Sequence, residues 1–179
     1  CIKLTVAQLG DSLKAVPEEA FRDCIALTEI NLPATVKTIG DKAFYNDSSL
    51  AVVTMREGLE RIGNQAFYNN AGVIHFSIPG TVESIGENCF MGCNSMIRLT
   101  FRKGEGVLTL SNKDCINSAG KYVDNDYFYD SPIRTLYVGR NLKYQASNSR
   151  YDSSKTAPFH NKKTLRKIKD WQQLLVSQS

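Results

Sequence analysis

Apolar and polar positions along the first hundred residues repeat with a period of 23. Phe21, Phe44, Phe67 and Phe90 recur at that interval without a slip. The other apolar positions keep step: Val16, Ile39, Ile62 and Ile85; Leu13, Val36, Leu59 and Val82; Leu27, Leu50, Val73 and Met96; Ile30, Val53, Phe76 and Leu99; Leu32, Met55, Ile78 and Phe101. Small residues follow the same count, with Gly40, Gly63 and Gly86 after the isoleucine and Ala20, Ala43, Ala66 and Cys89 before the phenylalanine. A fixed period of roughly 20–30 residues marks a solenoid, whose coils bury their apolar faces only by stacking on one another.

Within a coil, Leu27-Thr-Glu-Ile30-Asn-Leu32 and its copies end in an in-out alternation, the period of a strand. Pro33 and Pro79 end two of these strands, because proline has no N–H for a ladder. Gly40 then supplies either a positive φ or room for close approach. The Ala43-Phe44 segment is too short for a sustained helix and predicts a single 3₁₀ or α turn. Stacked, such coils give a parallel sheet on one face and turns or short strands on the other.

The ends are less regular. Leu4, Ala7 and Leu9 lie one period before Leu27, Ile30 and Leu32 and read as a half repeat. Past Phe101 the period breaks. Ile133 to Val138 is the next strand, with Leu136 lying 37 residues beyond Leu99. The excess is read as an added strand at Val107–Leu110 and a segment rich in Tyr and Asp from Lys121 to Asp130. Lys143 to Thr156 reads as an exposed polar loop, after which Phe159, Leu165 and Ile168 resume the frame. The expected layout is one domain over 1–179: a half repeat at 1–12, four regular repeats at 13–102, irregular repeats at 103–170 and a cap at 171–179.

No apolar run approaches the ~20 residues of a membrane helix. The chain opens on Cys1, as expected of a mature or trimmed form. A lipid on that cysteine is the weaker reading, because the apolar pattern starts at Ile2 with no spacer. Five cysteines do not suggest a disulfide framework. Cys24 and Cys93 share a slot three coils apart, roughly 14 Å at the strand spacing and beyond bonding reach. A ladder of small residues at a turn is expected there, with a Cys89–Cys93 bridge as the alternative.

The net charge of +4 is uneven: residues 1–90 carry 7 Lys/Arg against 11 Asp/Glu, and the rest of the chain carries 15 against 7. A basic patch gathers at Lys162, Lys163, Arg166 and Lys169.

The run L-P-x-x-V-x-x-I-G-x-x-A-F, at Leu32 to Phe44 and again at Ile78 to Phe90 (with Pro79, Gly80 and Cys89), resembles the BspA-like, or treponemal-type, leucine-rich repeat. Leu136-Tyr-Val-Gly-Arg140-Asn-Leu142, followed by a loop and Ala157-Pro-Phe159, is similar to its irregular coils. The resemblance implies a leucine-rich repeat solenoid, a right-handed β-α superhelix with a parallel sheet on its concave face and short turns, strands or 3₁₀ segments on the convex one. It also implies export to a bacterial cell surface or beyond, adhesion to or recognition of host or neighbouring-cell macromolecules, and no catalytic residues. Pro17 departs from the pattern, standing where later repeats have glycine.

An extended curved face is where repeat scaffolds take partners. Its outward columns would be Glu29, Val52, His75, Arg98, Thr135 and Lys167, and Asn31, Thr54, Ser77, Thr100, Tyr137 and Lys169. The expected binding residues are therefore Glu29, Val52, His75, Arg98, Tyr137 and Lys167.

Catalysis is not expected. His75 and His160 are the only histidines, and the coils flanking His75 offer Val52 and Arg98 rather than a carboxylate or thiol. Asp124, Asp126 and Asp130 do not make a calcium loop, since Phe128 and Tyr129 fill its fifth and sixth positions. No cofactor, metal or nucleic acid is implied. The reading is a monomeric, non-catalytic module for an extracellular protein or glycan, with a structural spacer or a polyanion-binding basic face as alternatives.

Overall fold

The computed structural model describes residues 1–112, 115–116, 122–123 and 131–146, with side chains left out at 111–112, 115–116, 122–123 and 143–146. Each coil contributes a strand to each of two sides. The strands are β1 (Val6–Gln8) and β2 (Ala15–Val16), β3 (Glu29–Asn31) and β4 (Thr38–Ile39), β5 (Val52–Thr54) and β6 (Arg61–Ile62), then β7 (His75–Ile78) and β8 (Ser84–Ile85). They continue as β9 (Arg98–Phe101) and β10 (Val107–Asn112), β11 (Cys115–Ile116) and β12 (Tyr122–Val123), and finally β13 (Thr135–Val138) and β14 (Asn141–Ala146).

On one side β1, β3 and β5 form a parallel sheet, and β7, β9 and β13 form another. On the opposite side β2, β4, β6, β8, β10 and β14 form a single six-stranded parallel sheet. Register follows the 23-residue count, with Ile30 opposite Val53, Ile39 opposite Ile62 and Phe76 opposite Leu99. Leu136 faces Leu99 across the long interval, as the frame requires.

Between the sheets lies one apolar core. The rings of Phe21, Phe44, Phe67 and Phe90 stack at centroid spacings of 5.2, 5.2 and 6.0 Å with planes within 2° of parallel. Identical side chains at identical places in stacked coils can only line up, and rings in line stack.

The superhelix of alternating strand and helix is corrected: among the described residues no helix forms. The segment around each core phenylalanine makes a third ladder instead. The N–H groups of Glu19, Phe21 and Asp23 donate to the carbonyls of Asp41, Ala43 and Tyr45 in the next coil. Lys42, Phe44 and Asn46 do the same toward Asn64, Ala66 and Tyr68. Donors that point to the next coil are not free to close an i→i−4 helix. Two residues per coil, four apart on either side of the phenylalanine, take positive φ: Glu19 and Asp23, Lys42 and Asn46, Gln65 and Asn69 lie between 53° and 64°. Asn and Asp tolerate that region better than most residues, and Gly92 takes the same slot at 78°.

Gly40 has its role settled by contact. A Cβ there would lie 2.5 Å from the backbone N of Glu18, and one at Gly86 would lie 2.5 Å from the N of Asn64. These glycines let one coil's backbone rest on the last. Pro17 fits its place because β2 is the edge of its sheet and no described coil lies beyond it.

Two further expectations change. Val107–Leu110 is not an added strand: it lies in β10, where Leu110 pairs with Ile85 as the next member of the six-stranded column. Two extra residues precede this pairing, and the rest of the excess falls after β10, where β11 and β12 pair antiparallel. Lys143 to Ala146, read as loop, belongs to β14 and pairs with β10.

The cysteine reading is also corrected. Cys1 and Cys24 form a disulfide with Cα atoms 4.7 Å apart, while Cys89 and Cys93 are free and buried. One coil separates Cys1 from Cys24, and one coil is about one strand spacing, within bonding reach. Alkylation of the denatured, unreduced chain should leave Cys1 and Cys24 unlabelled until reductant is added. Labelling of Cys1 without reductant would remove the bond.

Candidate functional site

The strand side carrying β3, β5, β7 and β9 presents the predicted columns. Glu29 pairs with Val52, and His75 with Arg98, which pairs in turn with Thr135. Asn31 pairs with Thr54, while Ser77, Thr100 and Tyr137 align across β7, β9 and β13. Glu29, Val52, His75, Arg98 and Tyr137 are all exposed on this face. Lys167 and the patch of Lys162, Lys163, Arg166 and Lys169 lie outside the described residues, as do His160, Asp124, Asp126 and Asp130.

His75 Nε2 lies 3.0 Å from Thr100 Oγ1. Partial burial, and after it the charge of Arg98, draws the imidazole pKa below its usual value. Near neutral pH the ring is therefore uncharged, and Arg98 carries the positive charge at this part of the face.

Two residues escaped the strand alternation. Ile74 and Ile97 precede β7 and β9, and the N–H of Ile97 donates to the carbonyl of Ile74, so they are neighbours in one column. The same column holds Thr28 and Ala51 in earlier coils and Arg134 in the next. Ile74 is 55% exposed and Ile97 40%, beside Val52 at 49% and Tyr137 at 56%. The signal available in sequence was the switch from Thr and Ala to Ile at a fixed position. It marks where the face turns apolar, in the coils of β7 and β9.

Toward the start of the sheet an open cleft of about 590 Å³ is lined by Val6, Gln8, Glu29, Asn31, Arg56 and their neighbours. Of the expected binding set it takes in Glu29.

The two free cysteines among the described side chains, Cys89 and Cys93, are held out of nucleophilic chemistry. Burial pushes the Cys93 thiol up to about 12 and the Cys89 thiol well above its usual value, which keeps both protonated. No group of three or more potential metal ligands comes together among the described residues.

Comparison with known families matches residues 1–114 to the BspA-type leucine-rich repeat region, in six copies. The chain belongs to the BspA-type leucine-rich repeat family. A comparison with curated proteins gives no match. Among solved structures, a leucine-rich repeat protein of T. pallidum is similar at 19% identity and a TM-score of 0.51, over 73% of this chain and 66% of that one. A leucine-rich repeat protein of Bacteroides ovatus is similar at 18% identity and a TM-score of 0.45, over 74% of this chain and 43% of that one. This BspA-type chain therefore spans less than two thirds of either protein's length, and the first likeness is one of fold. The repeat fold is that of a protein-interaction module, and such families are typically non-enzymatic. No helix among the described residues is long and apolar enough to cross a membrane.

Proposed function

We propose that this BspA-type chain is a non-catalytic recognition module, displayed at a bacterial surface or released from it, whose β5–β7–β9–β13 face binds an extracellular protein. The observation that carries the reading is the series of exposed apolar side chains Val52, Ile74, Ile97 and Tyr137 in successive coils, with Arg98 in β9 among those coils. Ile74 and Ile97 stand in a column that is Thr28 and Ala51 in the preceding coils, so the patch is local and not a property of the scaffold. Aromatic, aliphatic and arginine side chains together are the composition of an interface centre. A disulfide at Cys1–Cys24 fits an oxidising compartment outside the cytoplasm. Its sulfur is also the atom a lipid would need, so the bond argues against lipidation of Cys1.

The test displays the domain in several copies against extracellular proteins and glycans, beside the triple variant His75→Ala, Arg98→Ala, Tyr137→Ala. A protein hit should lose at least tenfold in affinity, about 1.4 kcal/mol, with an unchanged denaturation midpoint. A partner that binds the triple variant as tightly as the native chain overturns this assignment. Capture of glycans alone, lost at moderate salt, would favour the basic C-terminal face instead.

A further inference from the structure

From the third coil onward, the slot three residues after the core phenylalanine makes one repeated contact. Asn70 Nδ2 donates to the carbonyl of Phe44 at 2.6 Å, and Cys93 Sγ to that of Phe67 at 3.3 Å, each reaching back 26 residues. After the longer coil, Ser131 Oγ donates to the carbonyl of Phe90 at 3.0 Å. An amide, a thiol and a hydroxyl thus do the same thing, and each does it as a donor.

Asp47 occupies this slot in the second coil, and the same step back leads to Phe21. Its side chain is fully buried. Oδ1 accepts the N–H of Cys24 at 2.8 Å, while Oδ2 is buried without a partner. An ionised carboxylate only accepts. In this slot it would set a lone pair where the coils of Asn70, Cys93 and Ser131 set a donor.

We infer that Asp47 is folded in as the neutral acid, its Oδ2–H donating to the carbonyl of Phe21, so that the N-terminal coils bind a proton as they pack. A buried proton site then lies next to the Cys1–Cys24 disulfide, under the first coil. The electrostatics agree. Burial pushes the Asp47 carboxyl up to about 7, the nearby Asp23 carboxylate adds to that, and the Cys24 N–H and the Cys1 ammonium oppose it. Its neighbour in the chain, Asn46, and the same slot in the next coil, Asn70, are uncharged. Asp23 is itself tied to Asn46, whose Nδ2 donates to it at 2.8 Å.

An unfolded aspartate titrates near ~3.9. Between that pH and about 7 the folded chain therefore holds a proton that the unfolded chain lacks. Stability from this group is complete below about pH 4 and is lost as pH rises through about 7. That runs against ordinary acid denaturation and loosens the N-terminal coils on the alkaline side.

Carboxyl-carbon NMR of the whole chain tests this directly: the Asp47 resonance should titrate with a midpoint near 7. Exchange of the Cys24 amide, corrected for its intrinsic rate, should be roughly tenfold or more slower at mildly acidic than at alkaline pH. Asp47→Asn, which copies Asn70, should flatten that dependence and raise the alkaline denaturation midpoint. An Asp47 carboxyl titrating in the ordinary aspartate range overturns the inference, as does an Asp47→Asn variant that keeps the native slope. If the variant fails to fold, the NMR titration of the native chain decides alone.

Discussion

Phe67→Ala is expected to lower stability by about 3–5 kcal/mol, the usual cost of emptying a fully buried phenylalanine site. The ring is completely buried, stacked between Phe44 and Phe90, with Phe76 tilted against it at 5.1 Å. Such a site cannot collapse easily, because its walls are rings held by ladders in three neighbouring coils. Phe21→Ala is the control. Phe21 is half-buried and stacks on a single ring, so its loss should cost less than half as much. In a solenoid, stability is close to a sum of coil and interface terms, so a central cavity also weakens the coupling between the two halves. Denaturant unfolding followed by fluorescence and by circular dichroism measures both effects. Equal losses in the two variants, or a loss below about 1 kcal/mol at Phe67, would mean that the rings do not form a common interior spine.

The spine was legible in the sequence for a simple reason. A period that never slips over Phe21 to Phe90 leaves no choice of register, and register decides which side chains meet. The same argument placed Leu136 opposite Leu99 despite the intervening excess, because the strand signature at Ile133 to Val138 was intact. Where the pattern is weaker, it misleads. Val107–Leu110 looked like an insertion because it comes two residues late relative to Ile85, and a two-residue bulge cannot be told from an added element by alternation alone. The third ladder was harder to see. Nothing in the residues Glu19, Lys42 and Gln65 announces a positive φ; Asn88 in their column and the Asp23, Asn46, Asn69 and Gly92 column do. The disulfide is hidden for another reason: the cysteine count is odd, and the slot Cys24 shares with the distant Cys93 also holds Cys1, one coil back.

The candidate surface divides along the same line. Its strand columns follow from period-two alternation and were foreseen. Ile74 and Ile97 lie just before the strands, where alternation gives no direction, and it took the hydrogen bond between them to show that they share a column. Asp47 shows the reverse case. Its slot was identified as a ladder of small residues, but the direction of the hydrogen bonds, and with it the misfit of a carboxylate, required coordinates.

Arg140→Met should be the other severe lesion, costing about 3 kcal/mol or more, and it bears on how the irregular coil is joined to the regular ones. Arg140 follows β13 and is 5% exposed, a rare place for a guanidinium. One of its terminal nitrogens donates to the carbonyls of Gly80 at 2.5 Å and Val82 at 2.7 Å, and the other to that of Glu105 at 3.1 Å. Those carbonyls belong to two different earlier coils, so a single side chain clamps three turns of the solenoid. Backbone crowding beside it explains why Gly80 and Gly104 are glycines, since a Cβ on either would run into the other segment's backbone. Burial draws the guanidinium pKa down from its usual value, and the carboxylates of Glu57 and Glu83 push it back, which offsets part of the cost of burying the charge. Methionine keeps the length of the stem but strands three carbonyls without a donor. Lysine restores a charge but not the planar fork, so Arg140→Lys should recover only part of the loss. Amide exchange should show the damage concentrated in β9, β10 and β13, with β3 to β6 protected as before. A loss under about 1 kcal/mol, or a lysine variant as stable as the native chain, would show that the fork's geometry is not what holds these coils together.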